Sequence, residues 1–271
     1  MSERAITGAV LITGASRGIG AATARLAARQ GYRVAINYRS AGEKAEALLS
    51  EIRAAGGQAI AVQADVAHQD QVARMFRAVD EHLGPLSALV NSAGTNGGPE
   101  TRVADLDQAG LERLFAVNVI GTMLCCREAV RRMATAHGGA GGAIVNVSSM
   151  AATIGGRPGR SAYAASKGAI DSFTIGLARE VARHGIRANA IRPGMTLTDM
   201  TDAVRRDPGL RARIADTIAM DRCAEPEEIA RPILWLLSNE ASFVSGAILD
   251  ASGGGFLLAP VAHARASGAV E

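Results

Sequence analysis

The stretch Tyr163-Ala-Ala-Ser-Lys167 places a phenol and an ammonium four residues apart, in a run that reads as a helix, so both side chains share one face. Proton transfer is the chemistry such a pair can do. A free phenol titrates near pH ~10, and a cation within ~4–6 Å lowers an acid by about one to three units. The expectation is that Lys167 turns Tyr163 into a usable acid and base. Lysine usage sharpens the point, because of the 29 Lys and Arg residues only Lys44 and Lys167 are lysine. A chain that writes arginine elsewhere has here a compact, strongly hydrated point charge that a planar guanidinium does not supply. The plain alternative is a half-buried helix with a snorkelling lysine and an ordinary tyrosine. The rest of the chain decides between the two.

The second constellation is the turn Thr13-Gly-Ala-Ser-Arg-Gly-Ile-Gly20, set between an apolar run and a helical one. Gly14, Gly18 and Gly20 let the chain turn tightly, so that the main-chain amides of Ser16, Arg17 and Ile19 can meet a pyrophosphate at a helix N-terminus. A glycine triplet alone also fits any tight turn between strand and helix; its place in the first such unit favours a dinucleotide. The end of the second strand reads Asn37-Tyr38-Arg39-Ser40. A carboxylate there would hold a ribose 2′-hydroxyl, whereas Arg39, with Arg17 in the turn, suits a 2′-phosphate. NADP(H) is therefore favoured over NAD, against the reading of Arg39 as a solvated loop cation.

These groups need a scaffold, and the hydrophobic pattern supplies one. Short β-branched strands at 10–13, 34–38, 59–63, 86–91, 143–147, 186–191 and 247–250 alternate with helices at 19–27, 43–54, 69–82, 111–136, 163–184 and 226–237. Alternation of this kind implies right-handed crossovers. The expected class is α/β: a single Rossmann-like, doubly wound parallel sheet with helices on both faces. One domain is expected over 1–256, with a loosely ordered tail over 257–271. Loops at 95–100, 150–161 and 196–222 should wall a pocket beyond the strand ends. In the second, Arg157 and Arg160 read either as contacts for an anionic or polyhydroxylated substrate or as a solvated turn. The charge-mixed insertion at 201–220 reads either as a mobile lid or as a solvated surface helix.

Composition excludes several classes. The formal net charge of +3 is spread with no like-charge run longer than a pair such as Arg131-Arg132, so nucleic acid is not an expected partner. Cys125, Cys126 and Cys223 offer neither a disulfide framework nor metal-ligand spacing; no metal is expected, and a reducing, cytoplasmic location is. The start Met1-Ser-Glu-Arg lacks a signal-peptide core, and no unbroken apolar stretch reaches the ~18–20 residues of a membrane span.

Taken in order, the motifs resemble the short-chain dehydrogenase/reductase family over residues 6–255. Thr13 to Gly20 is similar to its glycine turn, and Asp65-Val66 to its adenine contact. Asn91-Ser-Ala-Gly94 is similar to the strand end where Asn91, Ala93 and Gly94 line the cofactor, and Asn118 to its active-site Asn. Ser149, Tyr163 and Lys167 resemble its catalytic residues, and Pro193-Gly194 with Thr196 and Thr198 its nicotinamide loop. The resemblance implies hydride transfer between nicotinamide and a carbonyl or secondary alcohol. Ser149 and Tyr163 would donate to the oxygen that gains charge, and Tyr163 would hand over its proton. Lys167 would lower the phenol's pKa and reach the nicotinamide ribose, and Asn118 would hold a relay water; a capping or surface Asn is the other reading of Asn118.

There are departures. Ser92 replaces a second Asn, Ala251-Ser-Gly-Gly254 replaces an acidic ending, and the spacing to Tyr163 leaves Ser148 as an alternative hydroxyl. Within the family the chain looks most like the sugar and polyol dehydrogenases. A 3-oxoacyl-[acyl-carrier-protein] reductase is the runner-up, because an arginine expected before the fifth strand is replaced by Gly138-Gly-Ala-Gly-Gly142. A catalytically silent NADP(H) sensor or scaffold is the reading from another class; it would not need Ser149, Tyr163 and Lys167 together. Family members pair their long helices, so a homotetramer is expected, with Ala169, Phe173 and Leu177 on the shared faces.

Overall fold

The computed structural model describes residues 8–255; the expected tail at 257–271 and the ends of the 1–256 domain lie outside them. Seven strands form one parallel sheet in the order β3-β2-β1-β4-β5-β6-β7. They are β1 (Ala9–Thr13), β2 (Arg33–Tyr38), β3 (Ala59–Gln63), β4 (Leu86–Asn91), β5 (Gly142–Val147), β6 (Ile186–Pro193) and β7 (Ile248–Ala251). The order reverses between β1 and β4, which opens a crevice beyond their carboxyl ends.

Strand residues alternate between two cores because successive side chains point to opposite faces. Val10 and Ile12 pack with α1 (Gly18–Arg29), α2 (Gly42–Ala54) and α10 (Pro226–Leu237). Ala9 and Leu11 pack with α3 (Gln69–Leu83), α5 (Thr122–Met133) and α7 (Ser161–Val181). Burial on both faces is why β1, Ala-Val-Leu-Ile-Thr, is apolar without alternation. Helices on both faces of a parallel sheet are the architecture expected.

The helix expected over 111–136 is one helical run ending at Met133: α4 (Gln108–Phe115), a π turn (Ala116–Gly121) and α5. Asn118 lies within the π turn, its Oδ1 accepting from the Thr95 amide at 2.8 Å and its Nδ2 donating to the Thr95 carbonyl at 2.9 Å. At Gly121 a Cβ would lie 2.8 Å from Val66 Cγ2, so this turn packs where no side chain fits. Single-turn π bulges inside helices often mark functional positions. By length and mean hydropathy the run Gln108–Met133 could cross a bilayer; in the fold it carries Cys125, Cys126, Ala129 and Met133 into the core.

The insertion is a packed layer. A 3-10 turn (Asp199–Thr201) leads into α8 (Asp202–Arg206) and α9 (Pro208–Ala215). Val204, Ile214, Ile218 and Cys223 form its own small core. Within it Asp202 pairs with Arg205 and Arg206. Of the expected interhelical face, Leu177 belongs instead to the protein's own core, because α7 turns it under the sheet. The apolar side chains left exposed on this side are Ile120, Met123 and Ile175.

Candidate active site

The glycine turn folds as it does because side chains would block it. Gly14 has φ +64°, and a Cβ there would lie 2.7 Å from Ala93 Cα. This close approach joins the turn to the Asn91–Gly94 strand end across the crevice. Gly18 has φ +56° and packs on Thr198, and a Cβ on Gly20 would meet the Gly14 carbonyl at 2.7 Å. Two polar side chains brace the turn. Asn37 Oδ1 accepts from the Gly14 amide at 3.2 Å while its Nδ2 donates to the Ala64 carbonyl at 3.0 Å. Thr13 Oγ1 accepts from the amides of Ser92 and Ala93 at 3.1 and 3.0 Å. No side chain caps α1, and its first turn carries no acid, so its leading amides and partial positive charge face the crevice. Ser16 and Ile19 are half-buried along the same turn. Gly14→Ala should therefore cost about 1–3 kcal/mol through a strained φ and a backbone clash, and weaken nucleotide binding; thermal unfolding and a binding titration would read both.

Arg39 and Arg17 are exposed and loosely held. Arg39 lies 4.0 Å from Asp65 and Arg17 lies 3.7 Å from Asp199. Exposed pairs of this kind contribute little, so either guanidinium can turn to a phosphate at small cost. Asp65 Oδ1 accepts from the Ala67 amide at 3.0 Å, and Val66 is buried against Gly121. Asn91 is turned inward: its Nδ2 donates to Asn146 Oδ1 at 2.9 Å and contacts Cys126 Sγ at 3.2 Å. The Asn91 side chain is thus engaged in the interior. Pro193 and Gly194 end β6, where a Cβ on Gly194 would lie 2.8 Å from Ser252 Cα. Thr196 is buried, its hydroxyl donating to the Gly194 carbonyl at 3.1 Å.

At the centre, Gly94 links the two constellations. A Cβ there would lie 3.5 Å from Asn118 Oδ1 and 3.6 Å from Lys167 Nζ, so the strand end beside the glycine turn touches the proton-transfer residues. Lys167 is only 6% exposed. Its Nζ donates to the Val147 carbonyl at 2.8 Å and lies 5.9 Å from the Tyr163 ring centroid. Ser148 is buried and donates to the Lys167 carbonyl at 3.2 Å. Ser149 is half-buried, accepts from the Ala151 amide at 3.1 Å and acts on the phenol. This separates the two serines: Ser148 braces α7, and Ser149 is the hydroxyl on the Tyr163 side.

The electrostatics correct one expectation. Burial holds the Tyr163 phenol above its ordinary value, opposed by hydrogen bonding to Ser149 and the positive field of Arg160. Burial also pulls Lys167 down to about 8, opposed by the negative charge of Asp171. Burial of the phenol outweighs the effect of the ammonium, which lies 5.9 Å from the ring centroid. A phenol kept protonated at neutral pH is a proton donor in waiting. Asn118 also differs from expectation: both side-chain atoms are engaged, Nδ2 reaching Ser166 Oγ at 3.0 Å besides Thr95. Its amide is a brace, and its carbonyl accepts from the Thr122 hydroxyl at 3.0 Å. Arg160 is a tether, donating to the carbonyls of Asn96 and Gly98 at 3.0 and 2.7 Å, whereas Arg157 is exposed.

A glycine turn at the sheet's switch point, with Ser149, Tyr163 and Lys167 nearby, suggests a class that the comparisons also reach. The chain belongs to the short-chain dehydrogenase/reductase family: the family model described as Enoyl-(Acyl carrier protein) reductase matches residues 14–255. Among its relatives, the uncharacterized oxidoreductase YgfF of Escherichia coli K12 is 49% identical over 90% of this chain and 98% of its own length. The 3-oxoacyl-[acyl-carrier-protein] reductase FabG of Staphylococcus aureus is 34% identical over 93% of this chain and 99% of its own. A short chain dehydrogenase from Burkholderia cenocepacia in complex with NADP superposes with TM-score 0.84 and 34% identity, covering 93% of this chain and 99% of that one. A dehydrogenase/reductase from Sinorhizobium meliloti superposes with TM-score 0.83 and 37% identity over 91% and 94%.

Some residues that shape the site were not singled out from the sequence. Asn37 appeared only as the absence of an acid, yet it holds the glycine turn. Ser166 lies inside the Tyr-to-Lys stretch and anchors Asn118. Asp171, one turn beyond Lys167 on the same face, carried the clearest signal, because a carboxylate on the buried face of a helix asks for a partner.

Proposed function

We propose that the protein is an NADP(H)-dependent oxidoreductase that reduces a carbonyl to a secondary alcohol, or runs the reverse reaction. The observation that carries this reading is Gly94, which contacts Asn118 and Lys167 while its neighbour Ala93 packs on Gly14: nucleotide turn and proton-transfer residues share one crevice. The residues fit a dinucleotide by an independent measure, since a Cβ at Gly14 or Gly20 would clash with main chain, leaving a cradle of bare backbone. The turn at Gly14 to Gly20, with Ser16, Arg17 and Ile19, would hold the pyrophosphate; Arg39 and Arg17 the 2′-phosphate; Asp65 and Val66 the adenine. The strand end at Asn91, Ala93 and Gly94 and the loop with Pro193, Gly194, Thr196 and Thr198 would hold the nicotinamide half. Bound nicotinamide supplies or accepts a hydride.

This chain's own residues handle the proton and the charge. Ser149 and Tyr163 orient the substrate oxygen and donate hydrogen bonds to it, which stabilises the charge it gains. Tyr163, protonated at neutral pH, gives up its proton, a step that burial of the phenol opposes and that stabilisation of the phenolate must offset. Lys167, when charged, steadies the phenolate that is left. Asn118 holds Thr95 and Ser166, and with them the spacing between β4, the π turn and α7.

If Arg39 faces a 2′-phosphate, Arg39→Ala should reduce the NADPH over NADH preference by about 10–100-fold, the loss of one or two charge-assisted bonds. Parallel titrations with the two reduced cofactors measure this. An unchanged ratio would remove the cofactor assignment.

For the substrate, a sugar or polyol carbonyl remains the first reading. A 3-oxoacyl thioester is the second, favoured by the FabG relatives at 34% identity. It is opposed by the Gly138 to Gly142 loop, which offers no arginine to an acidic carrier. The protein is proposed to act in the cytoplasm, with its three cysteines free and buried, and as a homotetramer, Ile120, Met123 and Ile175 lying on faces that another copy could cover. Elution as a monomer in gel filtration would remove the last point.

A further inference from the structure

Below the Tyr163–Lys167 pair lies a second, buried charge cluster that the proposed reaction does not use directly. Tyr163, Lys167 and Asp171 follow one another at one-turn intervals along α7, so the three share a face. Lys167 and Asp171 are 6% and 7% exposed. Asp171 Oδ2 accepts from Arg192 Nε at 2.8 Å, and Arg192 reaches on to Asp250 at 3.3 Å across the β6–β7 pairing. Asp171 Oδ1 is buried with no hydrogen-bond partner. A carboxylate oxygen left bare is costly unless its charge serves a neighbour.

We infer that Asp171, paired with Arg192 at 2.8 Å, is a positioning residue that sets the charge on Lys167 from one helical turn away. This rests on the reading of Lys167 as part of the proton-transfer site, and adds to it the group that governs the lysine. A negative charge on the buried side favours the ammonium, and the ammonium is the form that supports a phenolate. The charged and titratable groups around Lys167 are few. On its own helix there are Tyr163 and Asp171, on β6 Arg192, and on β7 the half-exposed Asp250. Arg160 acts on the phenol from the preceding loop, and Glu112 and Arg113 of the adjoining α4 are exposed. The ends of β4 and β5 and the π turn present amides, hydroxyls and carbonyls. A simple structural staple between α7, β6 and β7 would use the same ion pair, so the test must read charge rather than stability.

Lysine usage makes this possible, since Lys44 and Lys167 are the only lysines in the chain. In protein labelled with carbon-13 at lysine Cε, two signals titrate, and Lys44→Arg removes one and assigns both. The Lys167 midpoint is expected near about 8 in the parent protein. Removing the negative charge by Asp171→Asn should lower it by about one unit, and removing the positive charge by Arg192→Gln should raise it, while Arg192→Lys leaves it near the parent value. Shifts in opposite directions are a signature that loosened packing does not produce. Midpoints that stay put, or that move together in both variants, overturn the inference. If Arg192→Gln does not fold, the fall in Asp171→Asn alone decides, because loosened packing would raise a buried lysine's midpoint; if Asp171→Asn does not fold, Asp171→Ser takes its place. Because the titration uses the protein without cofactor, it separates the two claims. Opposite shifts without turnover would sink the reductase reading alone, and turnover with an unmoved midpoint would sink the role of Asp171 alone.

Discussion

Tyr163→Phe lowers turnover by about 10²–10⁴-fold, the range for removing a positioned general acid, while cofactor affinity and the unfolding temperature stay near the parent values. The expectation follows from where the phenol lies. The ring is half-buried against α7's own turn and removal of one oxygen leaves its packing intact, so the change takes away a proton and one hydrogen bond to the substrate oxygen. The Ser149 hydroxyl remains to stabilise the charge on that oxygen, which is why some activity survives. The pH profile carries a second signature. Burial holds this phenol above its ordinary value, so in the reduction direction the parent stays active through neutral pH and loses rate only as the phenol deprotonates. In Tyr163→Phe that alkaline fall disappears with the group. Single-turnover reduction followed across pH in both proteins would show it.

Lys167→Met separates function from stability in opposite directions. Turnover should fall by about 10²-fold or more, since the phenolate loses its cation and the donor set at the crevice is broken. Stability at neutral pH should rise. The lysine's folded value of about 8 lies below its ordinary 10.5, so the unfolded chain binds the proton more tightly. Below about pH 8 both states are charged and the full penalty of burying the ammonium is present, about 3 kcal/mol for such a shift. Between about 8 and 10.5 the folded protein gives up the proton first, and the penalty fades. Methionine fills similar volume but leaves the Val147 carbonyl without its donor, which returns about 1–2 kcal/mol. The net gain is on the order of 1–2 kcal/mol below pH 8, shrinking above it. Denaturant midpoints at neutral and alkaline pH would measure this; equal stability at both would mean that Lys167 is not strained by burial.

How much of this was legible in the sequence differs by element. The strands at 59–63 and 86–91 and the helix at 226–237 were readable to the residue, because Pro226 opens the helix, β4 is a largely buried apolar run, and the half-buried edge strand β3 is apolar up to Gln63. The long helix at 111–136 was visible, but not the π turn within it, because hydropathy follows the face of a helix and not its hydrogen bonds. The partners packed on that turn, Thr95 and Ser166 on Asn118 and Val66 on Gly121, lie far away in the chain. Among site residues, the glycine turn and the Tyr163–Lys167 spacing are local and were visible. The engaged amides of Asn91 and Asn118 were not, since either side chain could have faced the crevice until Asn146 and Thr95 were brought beside it. The phenol's shift was misjudged for a related reason: spacing gives the distance between two groups, while the burial that raises the phenol depends on the rest of the fold.

The central claim is that Tyr163 passes a proton while a hydride crosses to or from NADP(H), and a cofactor-consumption assay over a panel of carbonyls tests it most directly. The panel should include a keto sugar and a 3-oxoacyl thioester, each tried with NADPH and NADH on the parent protein and on Tyr163→Phe. The account predicts steady NADPH oxidation with at least one carbonyl, slower use of NADH, and near loss of both in the variant. Tight NADPH binding with no consumption on any carbonyl, or a variant as fast as the parent, would contradict it.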